Sequence, residues 1–144
     1  MHEADQPTNP GDDIVRQVLS DMKKVAVIGI SPKEDRASNG ITRFLMGLGL
    51  DVTGVNPLQT EPVHGAPVVA SLADVPGPVD LVDVFRRSDA VPAIAEAAVA
   101  HGAKVLWLQE GVVHAEAAAM AREAGLVVIQ DRCIYKEWLR LMNG

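Results

Sequence analysis

The sequence predicts an α/β fold: a Rossmann-like three-layer sandwich on a five-stranded parallel sheet, with strand order 3-2-1-4-5. Three observations carry this. Runs such as "KVAVIGI" (24–30), "VDLVDVF" (79–85) and "AKVLWLQ" (103–109) are largely apolar, as expected of strands covered on both faces. Between them lie segments of ten or more residues with apolar positions at helical spacing, and parallel neighbours need crossovers of that length. At 144 residues the chain suits one domain with a single core, and it shows no repeat.

Each element follows from local signals. Residues 1–11, with Pro, Asn, Gly and acids, read as a disordered tail, and 12–144 as the folded domain. "DDIVRQVLSDM" (12–22) sets Ile14, Val15, Val18 and Leu19 on one helical stripe, with Asp12 as N-cap. After the first strand, "NGITRFLMGLGL" (39–50) carries Ile41, Phe44, Leu45 and Leu48 at helical spacing and ends at Gly47 or Gly49. "DVTGVNP" (51–57) is a strand stopped by Asn56-Pro57. The Pro- and Gly-rich stretch 61–78 holds a short extended piece and one turn at 71–74. The third strand, 79–85, precedes a helix capped by Ser88 and Gly102. Strand 103–109, helix 112–125, strand "LVVIQ" (126–130) and the closing helix "IYKEWLRLM" (134–142) complete the chain.

Composition removes several classes of function. A net charge of −6 is the wrong field for a broad nucleic-acid surface, and 3% aromatic residues leave little for stacking single strands. No apolar run reaches the roughly 18 residues of a membrane span, and the polar, acidic N-terminus is unlike a secretory signal. One cysteine cannot form an internal disulfide, so a reducing cytoplasm is the expected compartment. A small anionic ligand remains compatible with an acidic chain, because a few local cations suffice to hold it.

Those cations gather where a parallel sheet binds ligands, at the carboxyl ends of its strands. The strand ends deliver "GISPKEDRAS", "NPLQ", "VFRRS", "LQEG" and "DRC". Within them fall Lys33, Arg36, Arg86, Arg87 and Arg132, out of 13 Lys and Arg residues in all. The helix after the first loop adds backbone N–H groups and the positive end of its dipole. Together these suit a polyanion of nucleotide size, although each arginine can equally pair with Asp83, Asp89 or Asp131. A dinucleotide fingerprint would need a second glycine where Ser31 stands and an acid where strand two ends in Asn56; NAD is therefore disfavoured.

The stretches "VAVIGISPKEDRAS", "VNP" (55–57), "VDVFRRS" (82–88), "WLQEGV" (107–112) and "DRC" (131–133) together resemble the small stand-alone CoA-binding domain proteins. These are similar to the N-terminal CoA-binding domain of the succinyl-CoA synthetase alpha subunit, and the likeness spans residues 25 to about 141. It implies coenzyme A as the cofactor. Gly29, Ile30, Ser31, Pro32 and Lys33, with Arg36 and Ser38, would cradle the diphosphate. Asn56, Pro57, Val84, Phe85 and Arg86 would surround the adenosine, with Gln109 and Glu110 along the pantetheine. Relatives often carry a basic residue after Asn-Pro; Leu58 stands here, which leaves Arg86 or Arg87 to replace it.

No catalytic or metal-binding set accompanies this. The synthetase's phosphorylated histidine belongs to a second domain, and His2, His64, His101 and His114 lack triad partners or metal-ligand spacing. The expected function is a carrier, sensor or regulatory module for CoA or an acyl-CoA. The alternatives are a non-catalytic component beside an acyl-CoA synthetase partner chain, or an NAD(P)-binding redox sensor. Cys133 is a further candidate on the pantetheine side. Arg132 and the closing helix's N-terminus favour a thiolate able to form a mixed disulfide with CoA, and simple packing against that helix is the competing role.

Overall fold

The structure, a computed structural model, describes residues 8–142. Residues 1–7 of the expected tail lie outside it. The helices are α1 (Asp12–Asp21), α2 (Ala37–Gly47), α3 (Val91–Ala100), α4 (Ala115–Glu123) and α5 (Ile134–Leu141). The strands are β1 (Lys24–Ile28), β2 (Asp51–Val55), β3 (Val68–Val69), β4 (Leu81–Val84), β5 (Val105–Leu108) and β6 (Val127–Ile129). All six strands pair in parallel in the order β3-β2-β1-β4-β5-β6.

The sheet thus has six strands rather than five: by number its order runs 3-2-1-4-5 as expected and continues to a sixth, with one strand added along the chain. The addition is β3, two residues from the Pro- and Gly-rich stretch, registered against Gly54 and Val55. Counting it changes which strand is third. The strand read as third from the sequence is β4, and it pairs with β1 instead of lying beyond β2. The order therefore reverses between β1 and β4, so the loops after these two strands flank the crevice.

Alternation along the buried strands divides the core into two layers. Ala26, Ile28, Val82, Leu106 and Val128 face α3 and α4, where Ala95, Ala98, Ala118 and Ala121 let the helices pack closely. Val25, Val27, Leu81, Trp107 and Ile129 face Leu19 of α1, Leu45 of α2 and Ile134 of α5. Trp107, the largest fully buried side chain, donates its indole N–H to the Arg132 carbonyl at 2.9 Å, which fixes the loop after β6.

Three end signals resolve differently from the sequence reading, the first being that Ala90, not Ser88, occupies the N-cap of α3. Gly11, not Asp12, occupies the N-cap of α1, and the Asp12 carboxylate instead takes a bidentate bond from Arg140 of α5 at 2.8 and 2.9 Å. Asn9, which composition assigns to the tail, bonds reciprocally to the Gln130 backbone at 2.7 and 2.9 Å. It supplies the partner that an edge strand's outer peptide groups otherwise lack.

Gly54 shows how tightly β2 is fitted. Its backbone is ordinary, but a Cβ would come within 2.4 Å of Ile30 Cδ1 and 2.7 Å of Cγ2. Ile30 is fully buried at the start of the loop after β1, so strand and loop share one volume. Gly54→Ala should therefore cost about 1–3 kcal/mol by overpacking. Combining it with Ile30→Val should cost less than the two single changes summed. Urea unfolding of the three variants checks this, and strict additivity would contradict the shared volume.

Candidate functional site

β1 ends at Gly29, whose φ of +86° belongs to the left-handed region. A Cβ there would stand 2.5 Å from the Phe85 carbonyl oxygen, so glycine is required by conformation and by contact. The chain then makes a braced turn. Asn56 donates to the Ile30 carbonyl at 2.8 Å, Asn39 to the Ser31 carbonyl at 3.0 Å, and the Lys33 N–H bonds to Ser31 Oγ at 3.1 Å. Two carbonyl oxygens that would repel an anion are thereby tied to side-chain amides. His64 holds Asn39 from the loop after β2, through a 2.7 Å bond between its Nε2 and Asn39 Oδ1.

The turn leads into α2, whose first turn has no capping side chain and no acid. Its N–H groups, lacking helical partners, are open to an anion. Lys33, Arg36, Arg43 and Arg86 border the same open cleft of about 1500 Å³, and among the described residues none of the four forms an ion pair. Glu34 and Asp35, in the same turn, are exposed and do not line the cleft. Of the competing pairings, only Arg87 with Asp89 forms, at 3.5 Å and largely in solvent. Asp131 instead accepts from the Gly111 N–H at 2.7 Å, joining the loops after β5 and β6.

Uncharged side chains complete the lining of the cleft. Gln109, Val112, Cys133 and Tyr135 line it, and Glu110 is held by Lys136 at 3.0 Å. That carboxylate raises the Lys136 ammonium above its ordinary range. Cys133 is partly buried at the N-cap of α5 and packs against the Trp107 layer of the core.

Of the residues selected from the sequence, Gly29, Ile30, Ser31, Pro32, Lys33, Arg36, Ser38, Asn56, Pro57, Phe85, Arg86, Gln109, Glu110 and Cys133 border this one cleft. Val84 does not: its side chain turns into the α3 and α4 layer of the core. Asn56 lines the cleft but spends its amide on the protein, accepting from the Leu58 N–H at 2.9 Å as well as donating to Ile30. Sequence reasoning missed Gly40, Arg43, Phe44 and Tyr135. The first two carried a signal, because positions 36, 40 and 43 share one face of a helix. Tyr135 meets Phe44 edge-on at 4.9 Å between ring centroids, a tertiary contact with no local mark.

Beneath the cleft lies Asp83, fully buried in β4. Gln109 Nε2 donates to its Oδ1 at 2.7 Å, and Oδ2 has no partner. Burial pushes the carboxyl up to about 7, and the Gln109 bond only partly offsets this.

Fold and cleft together define a Rossmann-like domain with a cation-lined cleft at its switch point. The profile of the CoA binding domain family matches residues 23–138, and the chain belongs to that family. It is 38% identical over 126 residues to the Bacillus subtilis protein YneT, covering 88% of this chain and 93% of YneT. A hypothetical protein from Pyrococcus horikoshii OT3 superposes with a TM-score of 0.88 at 34% identity, over 96% of this chain and 99% of that one. A Thermus thermophilus protein, cell-free ID.343, gives 0.86 at 37% identity, over 92% and 99%.

A carboxyl whose folded-state value is raised stabilises the fold in its neutral form. That contribution is complete below the unfolded value near pH 4 and is lost as pH rises through about 7. Unfolding by urea should show the wild type losing ground to Asp83→Asn between about pH 5 and pH 8, by an amount of the order of a few kcal/mol. A constant difference across that range would mean that Asp83 is not held neutral by burial.

Proposed function

We propose that this protein binds coenzyme A or an acyl-CoA, with the phosphates at the braced turn and the pantetheine arm toward Gln109 and Cys133. One observation carries the reading. In a chain of net charge −6, four cations without acid partners surround an uncapped helix N-terminus in one cleft. Acids would normally pair with such a cluster, and the only one that lines the cleft among the described residues, the exposed Glu110, is engaged by Lys136. The diphosphate and 3′-phosphate of CoA supply the complementary charge, and the uncharged Gln109, Val112 and Cys133 suit an uncharged arm. Arg43 lines the cleft in a chain that has exposed Leu58 where the resemblance leads one to expect a cation. The protein serves as a carrier, sensor or regulatory module for this ligand.

Calorimetry with CoA, pantetheine and NADH tests the assignment. CoA should bind with Kd in the micromolar range, roughly −8 kcal/mol at 1 µM. Tighter binding of NADH than of CoA would overturn it. Arg36→Ala and Arg86→Ala should each weaken CoA by about tenfold or more, the size of a charge-assisted hydrogen bond, and leave pantetheine little changed. Equal losses for both ligands would point to folding instead.

Gly40 separates stability from binding. It lies inside α2 and lines the cleft, and a Cβ there would meet no protein atom within 4 Å. Gly40→Ala should stabilise the fold by about 0.5–1 kcal/mol, since glycine is a poor helix former. The added methyl enters the ligand's space, so CoA affinity should fall in the same variant. Unchanged affinity would place the ligand away from this wall.

A further inference from the structure

We propose that Asp83 is a positioning residue whose protonation state decides which end of the Gln109 amide faces the cleft. In this way it sets the preference between free CoA and a CoA thioester. The proposal rests on the CoA reading for its ligand, but the reorientation itself does not.

The geometry leaves few choices. An ionised carboxylate only accepts hydrogen bonds, so the 2.7 Å contact then requires Gln109 to turn its NH2 inward. Gln109 Oε1, which has no hydrogen-bond partner among the described residues, is left for the cleft that Gln109 lines. A protonated Asp83 instead carries an O–H, and Gln109 is the one side chain bonded to it. Left as it is, the amide would still bond the carbonyl oxygen but leave the buried O–H without an acceptor; turning over lets Gln109 accept that proton and points its NH2 into the cleft.

Nothing else nearby fixes the carboxyl. Val27 of β1 and Trp107 of β5 stand beside it in register. The helices over that layer turn inward Leu19, Leu45 and Ile134. Asp83 forms no ion pair among the described residues, and Glu137, the buried acid of α5, is held by Arg140. The charged and titratable groups of the adjoining cleft are the four cations already named, Arg87, Glu110, Cys133 and Tyr135, with Lys136 on Glu110. With Oδ2 unpartnered in the core, the neutral acid is the less costly form, and a value near 7 populates both forms near neutrality.

The chemical consequence lies at the sulfur. Gln109 and Cys133 line the same cleft as the cations, and in the proposed pose they meet the arm that extends from the phosphates. A free thiol is a donor and suits Oε1; a thioester carbonyl is an acceptor and suits the NH2. Low pH therefore favours acyl-CoA, and high pH favours CoA.

Two measurements test this. The first is the ratio of the CoA and acetyl-CoA dissociation constants at about pH 5.5 and pH 8.5, in which phosphate titration common to both ligands cancels. In the wild type the ratio should shift toward acetyl-CoA at low pH by about fivefold, the worth of one hydrogen bond. In Asp83→Asn, which cannot titrate, it should stay flat. A flat wild type, or equal slopes in both proteins, overturns the proposal. The second is NMR of the ligand-free wild type, following the Asp83 carboxyl carbon and the Gln109 side-chain amide with pH. The two should move together with one midpoint, and a Gln109 amide indifferent to Asp83 also overturns it. Failure of both ligands to bind would count against the CoA reading, while the NMR result would still decide the amide reorientation.

Discussion

The contact between Gly29 and the Phe85 carbonyl is the constraint on which the site depends. β1 and β4 are neighbours in the sheet, yet their chains leave toward opposite edges, so their ends must pass each other closely. A missing Cβ makes this possible, since any side chain at 29 would overlap the oxygen at 2.5 Å. From this point the first loop rises into α2 and the other carries Arg86 and Arg87. The cleft is what lies between them, at the place where open parallel sheets bind ligands.

Charge is distributed accordingly. Lys24, Lys104 and Arg140 are paired with Asp51, Asp80 and Asp12 away from the cleft, where such exposed pairs contribute little to stability. Within the cleft, Lys33, Arg36, Arg43 and Arg86 form no ion pair among the described residues. The polar amides of Asn39, Asn56 and Gln109 have a different task, holding loops and the buried Asp83 in place.

Much of this was legible in the sequence because it rests on local chemistry. Continuous apolar runs marked β1, β4 and β5, and the cations at strand ends marked the cleft. β3 was read as a short extended piece and not as a strand of the sheet, because two residues give no periodicity; it joins the sheet through its register with Gly54 and Val55. Missing it displaced the third strand to the wrong side of β1. Val84 was misjudged for a related reason, since the alternation deciding its face depends on where the strand begins. Asp83 read as a partner for an arginine, and only the sheet shows it buried beneath Gln109. Tyr135 joins the cleft through α5 packing on α2, a contact that no local pattern records.

A crystal structure of the protein with CoA bound would test the central claim most directly. The diphosphate oxygens should lie within hydrogen-bond distance of the backbone N–H groups between residues 31 and 38 and of Arg36 or Arg86, with the sulfur end beside Gln109. CoA bound in the reverse sense would contradict this. So would CoA at the opposite edge of the sheet, in the hollow bordered by Ile14, Asp80 and Lys104.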